Sequence, residues 1–299
     1  MVWAVAVPTG VAADGNWSRV VRNLVVLGDS TAVGIGDPLP DRSWRGFGAL
    51  LAQAVGGTEP VRYANLSVSG ARINGVRRRQ LPAALRSRPD VAVLVAGMND
   101  TLRSDFDPVR LYADLDHVVG SLRAAGTAVL TARYHDHSKV FRLPGPLRRA
   151  LVQRIGQLNE VTDAVVARHA IGCLDLDRVP GAYQRAAWSV DRLHPSELGH
   201  RMLARGFAGL LADAGWAVPH PVSLACSGGA RITGWHHLGW LAFKGVPWLW
   251  RRGRDLMPYA AAIMFRELVG EEPLGPRRPL DVSPSPAWLD DPEGVAQPG

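Results

Sequence analysis

Seven consecutive residues, Asp90 to Ala96 (DVAVLVA), constrain the fold of this chain more than any other feature. After Asp90 the run is wholly apolar, with no polar residue at alternate positions. A strand with one wet face would alternate, so this run reads as a strand buried on both faces, as in a parallel sheet. Shorter runs of similar character occur at Leu24–Leu27, Val61–Leu66, Thr127–Ala132 and Ile171–Leu176. Between and after them the apolar spacing is helical, over Arg45–Val55, 75–87, Pro108–Ala124, Leu147–His169 and Ser196–Ala214. The clearest helix is Pro108–Ala124: Asp107 can cap it, Pro108 suits its first turn and Gly126 lies just past its end. The helix over 75–87 should break near Pro82. Strands alternating with helices predict an α/β fold, and right-handed crossovers put helices on both faces of its sheet.

The alternation stops near residue 215. Residues 1–22 read as a loose leader, 23–214 as the α/β domain, 215–270 as a mostly helical, Trp-rich basic appendage, and 271–299 as a Pro-rich flexible tail. Within the appendage, residues 235–254 combine Trp235, Trp240, Trp248 and Trp250 with Lys244, Arg251, Arg252 and Arg254. That composition suits either peripheral contact with a membrane surface or packing on the body of the protein or on a second subunit. Pro247 and Gly253 argue against one unbroken helix there.

The net charge of +7 is carried almost wholly by Arg, since Lys occurs only at Lys139 and Lys244. Such an excess either attracts anionic partners or reflects codon bias; with no recognised motif beside it, it does not predict a nucleic-acid partner. Cys173 lies in an apolar strand and reads as a buried thiol rather than half of a disulfide with Cys226. No zinc-type spacing of Cys or His is present, and the adjacent His236 and His237 cannot converge on one ion from regular structure. Residues 1–7 lack the basic start of a signal peptide, and no apolar run reaches the ~18 residues of a membrane span. The expected location is cytoplasmic, membrane-peripheral if residues 235–254 bind lipid.

Ligands of open parallel sheets bind at the carboxyl ends of the strands. Gly28-Asp29-Ser30 ends the first strand, Gly70 follows the second, Gly97-Met98-Asn99-Asp100 the third, and Asp191-Arg192-Leu193-His194 comes after the fifth. A serine needs a base to act as a nucleophile at neutral pH. An Asp three residues before a His can hold one ring nitrogen and leave the other to take the serine proton. Pro195 and Ser196 can start the next helix and fix His194 at its mouth. Taken singly, each segment could be a turn or a cap. His135 and His137 follow the fourth strand and read as loop polar residues, with substrate contact as the alternative. Arg72, Arg77, Arg78 and Arg79 read as a solvated helix face, with a bound phosphate or carboxylate as the alternative.

Together these segments resemble the four blocks of the SGNH hydrolase superfamily, also called GDSL esterases and lipases. They fall in the family's order over residues 24–213, about two-thirds of the chain, with Thr31 where the GDSL name has Leu. The resemblance implies a three-layer α/β/α sandwich, flavodoxin-like, with about five parallel strands. It implies Ser30 as nucleophile, His194 as base, Asp191 as its orienting acid, and an oxyanion hole from the backbone N–H groups of Ser30 and Gly70 and the Asn99 amide. Asp29 and Asp100 would brace the loops. The implied reaction is cleavage of an acyl ester, in a lipid, a thioester or an acylated sugar, with no metal or organic cofactor. An acyltransferase using the same triad, or a membrane-associated binding protein acting through the C-terminal segment, are the alternatives. The oligomeric state is not legible.

Overall fold

The computed structural model describes residues 19–57, 60–140, 143, 145–227 and 261. Five parallel strands form one sheet: β1 (Asn23–Gly28), β2 (Arg62–Asn65), β3 (Val91–Val95), β4 (Ala128–Arg133) and β5 (Gly172–Asp175). Their order is β2-β1-β3-β4-β5. β1 lies between β2 and β3, with Leu24 beside Val91 and Gly28 beside Val95. The two central strands are buried almost throughout, as their unbroken apolar runs require. The edge strands β2 and β5 are half-exposed. Cys173, on β5, is therefore half-buried rather than fully buried, and burial still pushes its thiol up to about 12.

Helices cover both faces. α1 (Ser30–Val33) and α2 (Gly46–Val55) follow β1. The return to β3 runs through α3 (Ile73–Gly75), a π-helical turn (Val76–Gln80) and α4 (Leu81–Ser87). α5 (Met98–Thr101) and α6 (Pro108–Ala124) join β3 to β4, α7 (Gly145–His169) joins β4 to β5, and α8 (Glu197–Asp213) follows β5 after a long loop. α2 and α8 pack on each other, with Phe47 and Phe207 ring centroids 5.4 Å apart; α6 packs against α7 and α4. The result is the three-layer sandwich that the family resemblance implies.

The 75–87 segment does not break at Pro82 as expected: the backbone stays helical through Gln80 and Leu81 and only widens before the proline. Pro82 occupies the first turn of α4, where its missing N–H costs nothing, and the widened π-turn precedes it. Asp107 caps α6 by accepting from the Val109 and Arg110 amides.

At the N-terminal side, Val21 is buried and Arg19 bridges Trp216. Residues 217–227 carry no helix, and Trp216, Val218 and Val222 pack against the core. The Trp-rich segment 235–254, the Pro-rich tail and residues 1–18 lie outside the described residues. No helix among the described residues is long and apolar enough to cross a membrane.

Candidate active site

Strand order reverses between β1 and β3, and the crevice at that switch point is where an open parallel sheet binds ligands. Ser30 leaves β1 there and Asn99 leaves β3. The turn that exposes Ser30 is built by its neighbours. Gly28 has φ 143°, and a Cβ there would stand 2.0 Å from the Val95 carbonyl oxygen. The Asp29 N–H donates to that same carbonyl at 3.1 Å. Gln80 reaches in from the π-turn, accepting from the Gly28 N–H at 2.8 Å and donating to the Gly28 carbonyl at 2.9 Å. Asp29 then caps α1 by accepting from the Thr31 N–H at 3.0 Å. Ser30 is the first residue of α1, so its own N–H has no partner within that helix.

The other half of the site is the loop before α8. Trp188 bridges Pro195, and the Ser189 N–H donates to the His194 carbonyl at 2.9 Å, closing the loop at its neck. Arg192, at φ 53°, turns the chain so that Asp191 and His194 face each other. Asp191 Oδ1 accepts from the Ser189 hydroxyl at 2.6 Å and from the Leu193 and His194 amides at 2.9 and 3.0 Å. Asp191 Oδ2 accepts from His194 Nδ1–H at 2.6 Å. His194 Nε2 accepts from the Ser30 hydroxyl at 2.8 Å. Burial pushes the Asp191 carboxyl up, but these donors and the imidazole outweigh it and hold it at about 2. Ser196 caps α8 through the Gly199 N–H, leaving His194 at the mouth of that helix.

Gly70, at φ 78°, and Asn99 line the same cavity as Ser30 and His194. The Asn99 amide nitrogen donates to the Ala71 carbonyl at 3.1 Å and to Asp29 Oδ2 at 3.3 Å. Asp29 is 3% exposed, and burial pushes it up to about 7. Asp100 is pushed up to about 6 by burial, while it accepts from the Ile73 N–H and pairs with Arg72. Both acids tie loops to one another, as their expected bracing role requires.

Sequence patterns were less informative about the walls. His135 and His137, read as loop polar residues, are 4% and 7% exposed and line the cavity. Their rings meet at 3.1 Å through His135 Nε2 and His137 Nδ1, against Trp188. Burial lowers them to about 4 and about 3, so both are neutral at pH 7. Their spacing of two after a strand was the only sequence signal for this. Gln80 had none, because it is one polar residue in an Arg-rich helical segment. The arginines nearby are only partly a free face: Arg72 pairs with Asp100 and Asp105, and Arg77 with Asp114, while Arg78 and Arg79 are exposed.

The cavity has a volume of about 230 Å³. A second, polar cavity of about 480 Å³ shares Ser69 and Gly70 with it.

Comparisons with known proteins agree with this fold. The model of the GDSL-like lipase/acylhydrolase family matches residues 26–202, more than half of the chain. An acetylxylan esterase of Geobacillus stearothermophilus is 26% identical over 208 residues, which cover 62% of this chain and 92% of that protein. Among solved structures, TesA is similar with a TM-score of 0.50 and 27% identity, over 64% of this chain and 98% of its own. An α/β hydrolase from the metagenome of Lake Arreo, Spain, superposes with a TM-score of 0.54 at 21% identity, over 66% and 98% of the two chains. The switch-point crevice and the family match lead to one conclusion: this chain belongs to the GDSL-like lipase/acylhydrolase family and is a carboxylic ester hydrolase.

Proposed function

We propose that ester cleavage proceeds through a Ser30–His194–Asp191 triad and an acyl-enzyme. The observation that carries this reading is the unbroken hydrogen-bond chain from Ser30 Oγ through His194 to Asp191. Ser30 Oγ attacks the ester carbonyl carbon while His194 Nε2 takes its proton. Asp191 keeps Nδ1 protonated and stabilises the imidazolium; a carboxyl held at about 2 stays ionised throughout. His194 then protonates the leaving alcohol, and a water activated by the same nitrogen releases the acyl group.

The oxyanion would be met by the Ser30 and Gly70 N–H groups and by the Asn99 amide. One such donor contributes ~3–4 kcal/mol to lowering the barrier. The Asn99 amide bonds Ala71 at 3.1 Å and Asp29 at 3.3 Å, the second on the long side. Turning one hydrogen from Asp29 to the oxyanion exchanges a long bond for one to charge that develops only in the transition state.

A fluorophosphonate probe tests the reading: it should label Ser30, and Ser30→Ala should lose labelling and p-nitrophenyl ester turnover while remaining folded. Full turnover by Ser30→Ala would refute it.

A further inference from the structure

We infer that the cavity beside Ser30 is an acyl pocket, and that the substrate is an ester of a linear aliphatic acid of medium chain length. This rests on the triad reading above.

Ser30 and His194 share one cavity with Leu102, Leu143, Leu147, Leu151, Leu176 and Val179. These side chains converge from three directions: the end of α5, the start of α7 with the residue before it, and the chain after β5. The polar groups on this wall, His135 and His137, are buried and bonded to each other. They present no charge to a ligand. A carboxylate, phosphate or sugar placed among these leucines would lose its water and gain little in return, whereas an alkyl chain gains with each methylene buried.

The other direction open from Ser30 differs. Across Ser69 and Gly70 lies the polar cavity, lined by Arg72, Arg79, Asp100 and Asp105. An alkyl chain there would strip water from charged groups. The acyl chain is therefore directed to the leucine side.

Size sets the chain length. At ~30 Å³ per water-sized group, a cavity of about 230 Å³ holds about eight atoms, and the ester group over Ser30, Asn99 and His194 takes some of that space. An acetyl group leaves most of it unfilled. Each further methylene should raise kcat/KM roughly fourfold (~0.8 kcal/mol) until the cavity is full.

The test is a series of p-nitrophenyl esters from acetate to dodecanoate with the full chain. The expected profile climbs steeply from acetate, peaks at roughly four to eight carbons, and falls for longer chains. Leu147 is half-buried on the first turn of α7, so Leu147→Trp fills the cavity with little cost to the core. That variant should lower the ratio of octanoate to acetate turnover tenfold or more and move the optimum to shorter chains. The thermal midpoint serves as the measure of folding, and Leu176→Phe is the second variant. A wild-type optimum at acetate, or a profile unmoved by both variants while acetate turnover persists, overturns the acyl pocket alone. No labelling of Ser30 and no turnover of any ester overturns the triad reading and the pocket with it.

Discussion

The two halves of the proposed triad are held in opposite ways. Ser30 is placed by the whole fold: its turn is pinned by Val95 from β3, by Gln80 from the π-turn, and by the Val68 N–H, which donates to the Gly28 carbonyl. Asp191 and His194 are placed by their own loop, through bonds among residues 187–196. The electrostatics divide along the same line. Burial lifts Asp29, beside the nucleophile, to about 7, whereas four donors hold Asp191, in the loop, at about 2. The nucleophile thus depends on global folding, and the base and its acid on local geometry. Changes on the two sides should fail differently.

The largest effect belongs to the loop side. Asp191→Asn keeps an oxygen for the Ser189, Leu193 and His194 donors but turns an amide toward His194 Nδ1, favouring the wrong tautomer. Turnover should fall about 10⁴-fold. Because the loop is local, the thermal midpoint should move little; a collapse of the midpoint together with activity would show that this loop supports the whole fold.

Gln80→Leu attacks the other side. It leaves the buried Gly28 N–H without its partner and removes one of two donors to the Gly28 carbonyl. The expected loss is about 2–4 kcal/mol of stability in urea unfolding. Gln80→Glu retains an acceptor but no amide donor and should fall between the two. Unchanged stability in Gln80→Leu would remove the claim that the fold clamps the nucleophile.

Stability against pH separates the two carboxylates. Asp191 lies below its ordinary value of 3.8, so its stabilisation is present above about 4 and is lost as pH falls toward 2. Asp29 lies above 3.8, so its contribution is complete below about 4 and is lost as pH rises to about 7. Asp29→Asn removes the second window. Its thermal midpoint relative to wild type should climb by a few degrees between pH 4 and 7 and then stay level. A flat difference across that range would show that Asp29 does not titrate there.

The same division explains what could be read from the sequence. The β1 and β3 runs announce themselves, because a strand buried on both faces must be apolar throughout. Asp191-x-x-His194 is legible for a related reason, since a local device leaves a local spacing. The clamp by Gln80 is not legible: it joins residues 52 positions apart through one ordinary-looking side chain. The burial of His135 and His137 was not legible, because a polar pair after a strand usually faces water, and here Trp188 and Tyr183 cover it. The acyl wall was hidden because its leucines come from separated elements and match no motif.

The smallest effect tests how local the loop is. Arg192 stands at φ 53°, a region that costs a side chain roughly 1–2 kcal/mol. Glycine would relieve that strain but add roughly 0.5–1 kcal/mol of chain entropy to be lost on folding. Arg192→Gly should therefore change stability by less than about 1 kcal/mol, with turnover near wild type, since the Ser189, Leu193 and His194 donors to Asp191 are retained. Arg192→Val cannot adopt that backbone cheaply and must pull Asp191 from His194. Turnover of p-nitrophenyl butyrate should then fall in the valine variant and not in the glycine variant. Equal turnover in both would mean that the bonds to Asp191 Oδ1 hold the pair without help from the turn.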